Sequence, residues 1–203
     1  MSKSEPIPAD SEASDEDLLE SAQAAGEGDL RAFEALVGRH QRRILADCRF
    51  MTRDPASAED LAQEVFVKAY FGLRGFEGRS SFRHWLQRIK VHHCLNFLKK
   101  QEATARVPLE EEVVSDEQAA DEQYEAESDR ERIARTLEGL PSSLRLPLIM
   151  RDMDELSYEQ IAEELGLGLS AVKMRIKRAR EEFRRRYTAA VRRSGASVLA
   201  GSR

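Results

Sequence analysis

Histidine and cysteine are the residues of this 203-residue chain that could hold a metal or act as nucleophiles, and there are only four His and two Cys. The densest group is His92, His93 and Cys94. Consecutive helical residues point about 100° apart, so these three side chains cannot converge on one ion without ligands from elsewhere. Neither a catalytic triad nor a glycine-rich phosphate loop is present. The sequence therefore predicts no metal, no cofactor and no enzymatic chemistry.

Basic side chains carry the clearest binding chemistry, in a stretch that reads as two short helices around a turn. Ser157 and Gln160 have the spacing of a capping box. Gly166 can end the first helix in a left-handed conformation, and Ser170 restarts a second helix a few residues later. This is the spacing of a helix-turn-helix over residues 157–180.

One face of the second helix is apolar and the opposite face is basic. Val172, Ile176 and Ala179 are expected in the core. The outward residues are Lys173, Arg175, Lys177, Arg178 and Arg180. A solvated basic helix is the alternative, but such a helix would interleave acids, and none occurs before Glu181. The pattern favours contact with the phosphates that border a DNA major groove.

Two earlier stretches have features of binding surfaces. In the predicted helix SAEDLAQEVFVKAYFGL, polar residues stand beside Phe66 and Tyr70, which indicates either a protein interface or ordinary solvation. The following loop, RGFEGRSS over residues 74–81, combines glycines, arginines and Phe76, which suits an extruded base. Trp85 then stands beside Arg88, either as a core residue or as a stacking platform.

The predicted architecture is all-α, because helical periodicity recurs throughout while alternating apolar runs are few. A helix is expected from Asp15 to Ala25 behind Ser14, and another from near Asp29 with His40 packed in its apolar stripe rather than ligating a metal. A third is expected to be capped by Ser57 with Asp60. The long helix after Ser81 is expected to present one apolar face. Its residues are Phe82, Leu86, Ile89, His93 and Phe97.

Charge is strongly segregated although the net charge is only −5. Residues 1–34 and 101–131 are acid-rich, whereas residues 74–100 and 173–193 are basic, which indicates two DNA-facing surfaces joined by an acidic connector. We expect an acidic, largely disordered extension (1–27), a helical domain (28–100), a flexible linker (101–127), a second helical domain (128–188) and a frayed tail (189–203). Pro147 should kink or restart a helix of the second domain.

The cellular compartment is expected to be the cytoplasm. Cys48 and Cys94 are isolated thiols, nothing at the start of the sequence resembles a signal peptide, and no apolar run reaches membrane-spanning length.

Three motifs in order resemble those of bacterial RNA polymerase sigma factors of the extracytoplasmic function (ECF) group. They are AEDLAQEVFVKAY, FEGRSSFRHWLQRI and LSYEQIAEELGLGLSAVKMRIKRAR, and the similarity extends over about residues 28–188. It implies a sigma region 2 bundle and a sigma region 4 helix-turn-helix domain. It also implies binding to core RNA polymerase and promoter DNA, and control by an anti-sigma factor.

The resemblance assigns roles residue by residue. Residues implied to bind core polymerase are Asp60, Gln63, Glu64 and Phe66. Residues implied to melt the minus-10 element and hold a flipped base are Phe76, Glu77, Gly78, Arg79, Ser80, Ser81, Trp85 and Arg88. Residues implied to read the minus-35 duplex are Ser170, Lys173, Met174, Arg175, Lys177 and Arg178. Met174 stands where relatives commonly have Ser, so their promoter sequence cannot be transferred to this chain.

Two other classes remain as alternatives. A DNA-binding regulator without polymerase affinity would share the helix-turn-helix, and an enzyme would need a catalytic group that the sequence lacks. We also hypothesise that the acidic extension inhibits DNA binding by covering the basic helix, because the two segments have opposite charge.

Overall fold

The computed structural model describes residues 13–26, 29–104 and 128–200, and every regular element in these ranges is a helix. The chain forms two compact units, residues 1–100 and 101–203. This confirms the predicted all-α, two-domain architecture. The predicted disorder of residues 1–12 and the linker of residues 105–127 lie outside the described residues. No helix within the described ranges is long and apolar enough to cross a membrane.

The first unit contains four helices. They are α1 (Asp15–Ala24), α2 (Arg31–Thr52), α3 (Pro55–Gly72) and α4 (Phe82–Thr104), with a 3-10 turn at Leu73–Gly75 after α3. Helix α4 thus continues four residues beyond Lys100, where the linker was predicted to begin.

Capping side chains set the beginnings of these helices. Ser14 and Asp17 form a reciprocal capping box at α1, as the sequence predicts for Ser14. At α3 the predicted cap Ser57 is wrong: the carboxylate of Asp54 accepts from the backbone N–H of Ala56 and of Ser57, at 3.1 and 3.3 Å. Pro55 occupies the first turn, where its missing N–H costs no hydrogen bond, so the helix begins three residues earlier than a cap at Ser57 indicates.

Helix α1 belongs to the first unit and lies where a short helix is expected from Asp15 to Ala25, within an extension otherwise expected to be largely disordered. Leu18 and Leu19 are buried, 2% and 8% exposed. At its start, the Asp15 carboxylate accepts from Arg39 Nη1 at 3.0 Å and lies 2.7 Å from His40 Nε2. The extension therefore contains a packed helix.

The core between α2 and α4 combines thiols, methylene groups and one ion pair. Cys48 and Cys94 are both free and buried, with 3.7 Å between their Sγ atoms. Beside them, Lys90 Nζ donates to Asp47 Oδ2 at 3.1 Å, and these side chains are 0% and 1% exposed. Of the predicted α4 stripe, Phe82 and Leu86 are buried. Ile89, His93 and Phe97 are only partly buried.

The second unit is built from helices with well-marked ends. They are α5 (Asp129–Glu138), α6 (Ser142–Leu148), a π-helical segment (Ile149–Met153), α7 (Tyr158–Leu165) and α8 (Leu169–Ala200). The predicted capping box of Ser128 with Glu131 is present at α5. Pro147 lies inside α6, and the chain leaves α-helical geometry immediately afterwards, at Ile149, as expected for a residue without a backbone N–H.

Helix α8 is one continuous helix of 32 residues. The predicted frayed tail from Ala189 is therefore helical as far as Ala200, and Gly195 does not end the helix.

Candidate DNA and protein interfaces

The two ends of α7, the first helix of the helix-turn-helix, are set by the residues that the sequence indicated. Ser157 Oγ accepts from Gln160 N at 3.1 Å, and the Gln160 side chain accepts from Ser157 N at 2.8 Å. Gly166 has φ 64°, the left-handed conformation that ends α7, and Leu167 N donates to Ala162 O at 2.9 Å. Side-chain hydrogen bonds thus fix the start of α7, and backbone hydrogen bonds fix the turn between α7 and α8.

Packing beneath α8 fixes which of its faces is free. Val172, Ile176 and Ala179 are 0%, 1% and 0% exposed, as predicted. The opposite face is exposed and carries five of the predicted DNA-reading residues. They are Ser170, Lys173, Met174, Lys177 and Arg178, while Arg175 is partly buried.

Some basic residues of this unit are engaged by an acidic or an aromatic side chain of the same unit. Arg180 donates to both carboxylate oxygens of Asp152, and this pairing raises the pKa of its guanidinium. Arg180 is therefore directed at the protein, which the sequence did not anticipate. Lys173 Nζ lies 5.7 Å and Arg151 Cζ 4.8 Å from the centroid of the Tyr158 ring. Cations over an aromatic face are attracted by its quadrupole, so Tyr158 helps to orient the start of α8.

In the first unit, the predicted partner strip lies along α3 above a buried stripe. Leu61, Val65 and Ala69 are buried. Asp60, Gln63 and Glu64 are exposed. Phe66 is partly buried and, with Gln63, borders a groove of about 470 Å³ against α2. The α2 residues of this groove are Val37, Gln41, Arg42 and Leu45.

Two apolar residues that the sequence analysis missed extend this strip. Val67 is 55% and Phe71 79% exposed. They stand three and seven residues after Glu64, on the same side of α3. Their spacing was a usable signal, because both fall off the Leu61, Val65 and Ala69 stripe.

A histidine of α4 lies behind the strip. His93 Nδ1 is 3.3 Å from Glu64 Oε2. Burial, and then the charge of Lys68, lower the pKa of His93 below its ordinary 6.5, against the opposing effect of Glu64. His93 is therefore neutral at pH 7, and the Glu64 charge is left uncompensated by it.

The predicted base-holding loop is anchored by aromatic rings. The centroids of Phe76 and Trp85 are 4.9 Å apart, and those of Phe82 and Trp85 are 5.8 Å apart. Gly72 lies beneath this ring: a Cβ there would stand 3.0 Å from the Trp85 indole. Trp85 is thus half-buried against α3 and the loop, and Arg88 is exposed one turn further along α4.

The rim of the loop is open and polar. Gly78 has φ 69°, which favours glycine, and Arg79 forms an ion pair with Glu77 in which both side chains are mostly exposed. Such an exposed pair contributes little to stability. Ser81 Oγ accepts from His84 N at 3.3 Å and thereby begins α4, while Ser80 is exposed.

Sequence reasoning also missed Gln23 of α1. Its Nε2 donates to Leu73 O and to Phe76 O, both at 2.9 Å. No local pattern could have indicated this contact, because its partners lie 50 and 53 residues away. In the described part of the chain no group of three or more His, Cys, Asp or Glu side chains could hold a metal ion.

The two units correspond to two conserved parts of one class of transcription factor. The family model described as sigma-70 region 2 matches residues 36–104, and that described as sigma-70, region 4 matches residues 130–183.

Curated relatives cover nearly the full length of the chain. The RNA polymerase sigma-H factor of Pseudomonas aeruginosa is 35% identical over 180 residues, which is 82% of this chain and 90% of the relative. The ECF RNA polymerase sigma-E factor of Escherichia coli K12 is 34% identical over 194 residues, 88% of this chain and 97% of the relative. The chain belongs to the ECF group of RNA polymerase sigma factors, as the motifs predict.

Two solved structures share the fold. The sigma factor RpoE from Bartonella quintana, in complex with the anti-sigma factor NepR, has a TM-score of 0.56 and 22% identity, over 77% of this chain and 96% of that one. CnrH, in complex with the cytosolic domain of CnrY, has a TM-score of 0.52 and 24% identity, over 92% and 97%.

Proposed function

We propose that this sigma factor directs core RNA polymerase to promoters by reading the minus-35 element as duplex with α8 and melting the minus-10 element with the loop 76–81. The observation that carries the proposal is the two-sided α8. Its apolar side is fully buried, and the opposite side offers Lys173, Met174, Lys177 and Arg178 to solvent. A recognition helix in a major groove needs this separation, because only a packed helix holds its side chains at base-pair spacing.

At the minus-10 element, the aromatic pair Phe76 and Trp85 backs a loop with an open rim. Phe76 and Trp85 supply ring faces for an unstacked base. The exposed charges of Arg79 and Arg88 suit the phosphates of a displaced single strand. Glu77, Gly78, Ser80 and Ser81 complete the loop and its junction with α4. In this proposal all these groups bind the displaced strand, and the protein acts by binding alone.

Core polymerase is proposed to contact α3 through Asp60, Gln63, Glu64 and Phe66. Support comes from the exposure of the three polar side chains and from the groove beside Phe66. Charged groups beside apolar contact area are typical of specific protein interfaces. Since the Bartonella quintana relative in fold is bound to an anti-sigma factor, we further infer that an anti-sigma factor controls this protein by covering these surfaces. We propose that the sigma factor acts in the cytoplasm, together with polymerase and DNA.

Transcription in vitro tests the whole proposal. Core polymerase and the purified protein are incubated with fragmented genomic DNA, and the transcript starts are sequenced. The expected result is a set of starts that share two upstream elements. A DNA-binding regulator without polymerase affinity gives no promoter-specific transcript, and that result would contradict the proposal.

Substitutions on α3 test the polymerase surface separately. Asp60→Ala and Glu64→Ala are each expected to reduce capture of the protein by immobilised core polymerase, because each removes a charge aimed at the partner. Glu20→Ala, an exposed acid on α1, is the matched control and should bind normally. Equal capture of all four proteins, wild type included, would remove α3 from the interface.

A further inference from the structure

Helix α1 touches the base-holding loop through one side chain. Gln23 is partly buried, and its single amide nitrogen donates to the carbonyls of Leu73 and Phe76, each at 2.9 Å. These two carbonyls begin and end the 3-10 turn that connects α3 to the loop. Leu73 O also accepts from Phe76 N at 3.1 Å, which closes the turn. Gln23 therefore bridges both ends of the segment that delivers Phe76.

The Gln23 amide is well suited to this position. An amide NH₂ has two donors, and both are used here on carbonyl oxygens that the turn itself leaves with spare lone pairs. Without the Gln23 amide, Phe76 O loses this donor and Leu73 O keeps only Phe76 N, which is unfavourable because part-buried acceptors lose water without gaining a partner. The bridge thus favours one conformation of the turn over others.

The opposite end of α1 is also fixed. Asp15 accepts from Arg39 Nη1 at 3.0 Å and lies 2.7 Å from His40 Nε2. The His40 ring in turn lies 5.5 Å from the ring of Phe82, which packs on Trp85. With Leu18 and Leu19 buried, α1 is a rigid element held at both ends and in the middle. A side chain on a rigid element holds its partner in place more precisely than one on a loop can.

We propose that Gln23 is a positioning residue for minus-10 recognition: α1 braces the loop so that Phe76 rests on Trp85, in the arrangement that receives the unstacked base. This inference rests on the proposed function. It goes beyond the family match, because α1 lies ahead of the region 2 match at residues 36–104. The physical gain is preorganisation, since a loop that is already ordered loses less conformational entropy when it binds.

Fluorescence of Trp85 tests the brace without any DNA, because it is the one Trp of the chain and lies on Phe76. Gln23→Met keeps the side-chain length but has no N–H, and Gln23→Ala removes the amide altogether. In both full-length variants the loop should loosen, so quenching of Trp85 by acrylamide should increase. Glu20→Ala, an exposed substitution on the same helix, should quench as wild type does. Unchanged quenching in Gln23→Met and Gln23→Ala overturns the inference.

Binding of a single strand tests the consequence for recognition. The probe is a fluorescein-labelled non-template oligonucleotide that spans the minus-10 element of a promoter mapped by the transcription experiment, bound to holoenzyme. Loss of the two hydrogen bonds should weaken its binding about tenfold. Capture by core polymerase and the far-UV circular dichroism of Gln23→Met at 25 °C should stay at wild-type values, which a general loss of structure would not allow.

The outcomes separate this inference from the function on which it rests. Increased quenching of Trp85 together with weaker oligonucleotide binding supports the inference. Increased quenching with unchanged oligonucleotide binding overturns it. If wild-type holoenzyme itself fails to bind the oligonucleotide, the proposed minus-10 function fails. The role of Gln23 in minus-10 recognition then fails as well, whatever the quenching of Trp85 shows.

Discussion

Arg178 and Arg180 are two residues apart on α8, yet the structure gives their guanidinium groups different surroundings. Arg180 is held by Asp152 through Nε at 3.0 Å. Arg178 is exposed, and no ion pair in the described part of the chain engages it. Because a bidentate guanidinium contact to guanine requires a free fork of donors, Arg178 is the better candidate for base readout.

Replacing Arg178 tests the assignment of minus-35 readout to α8. If Arg178 contacts a base, Arg178→Ala should weaken binding to the mapped minus-35 duplex by about 1 to 3 kcal/mol and relax specificity at one position. Fluorescence anisotropy on a set of single-base promoter variants measures both effects. Arg180→Ala is the contrast: its effect should be smaller and uniform across the set. A uniform effect for Arg178→Ala as well would restrict Arg178 to phosphate contact.

At the scale of the elements, the sequence predicted helix ends better than helix faces. A capping box depends on residues only three positions apart, so the caps Ser14, Ser128 and Ser157 could be predicted from the sequence directly. The same is true of Gly166 at the end of α7. The prediction of the α3 cap failed because two capping candidates, Asp54 and Ser57, stand three residues apart. Asp54 prevails because Pro55 favours the first helical turn.

The buried face of α4 could not be predicted, because its burial depends on a partner in another helix. A pattern search treats Lys90 as a surface residue, but Asp47 of α2 compensates its charge in the core. For the same reason the stripe assigned to α4 was displaced toward Ile89 and His93, which are only partly buried. In the candidate sites, the exposed basic side of α8 followed from spacing alone. The contacts of Arg180 and Gln23 did not, since both depend on tertiary packing.

Removing one member of the Asp47–Lys90 pair should destabilise the protein more than removing both. Lys90→Met removes the buried partner of the Asp47 carboxylate and leaves it only the half-exposed Arg43, whose Nε lies 3.9 Å away, so the first unit should lose about 3 kcal/mol of stability. The double variant Asp47→Leu with Lys90→Met removes both charges and should recover most of that loss. Urea unfolding followed by far-UV circular dichroism gives the free energies.

A matched surface pair provides the comparison for the buried one. Arg49 and Glu59 also join two helices, α2 and α3, at 2.9 Å, but their side chains are 44% and 59% exposed. Arg49→Met should therefore change the free energy of unfolding by no more than about 1 kcal/mol. Equal effects of Lys90→Met and Arg49→Met would show that burial does not govern the Asp47 pair.

At the scale of the whole molecule, charge segregation suggests that the acidic start of the chain opposes DNA binding by α8. The structure sharpens how this hypothesis can be tested. Deleting residues 1–27 would remove Leu18, Leu19 and Gln23, and with them part of the core and the support of the loop. Deleting residues 1–12 leaves α1 intact and removes three acids and one Lys. The shorter deletion is the informative one.

If the acidic start covers the basic face of α8 by charge, the deletion of residues 1–12 should tighten promoter binding at low salt. A gain of about 1 kcal/mol, roughly fivefold in affinity, is the scale of exposed ion pairs. The gain should disappear at high salt, because exposed charges are then screened from one another. Anisotropy titrations of holoenzyme at two ionic strengths measure both effects on one promoter fragment.

Charge can be separated from chain length in the same assay. The full-length triple variant Glu5→Gln, Asp10→Asn and Glu12→Gln keeps the chain length and similar side-chain sizes but removes the three negative charges. It should reproduce the gain of the deletion, since an electrostatic cover requires charge and not bulk. Identical low-salt affinities of wild type, deletion and triple variant would dispose of residues 1–12 as an inhibitor. A gain with the deletion alone would assign the effect to steric obstruction.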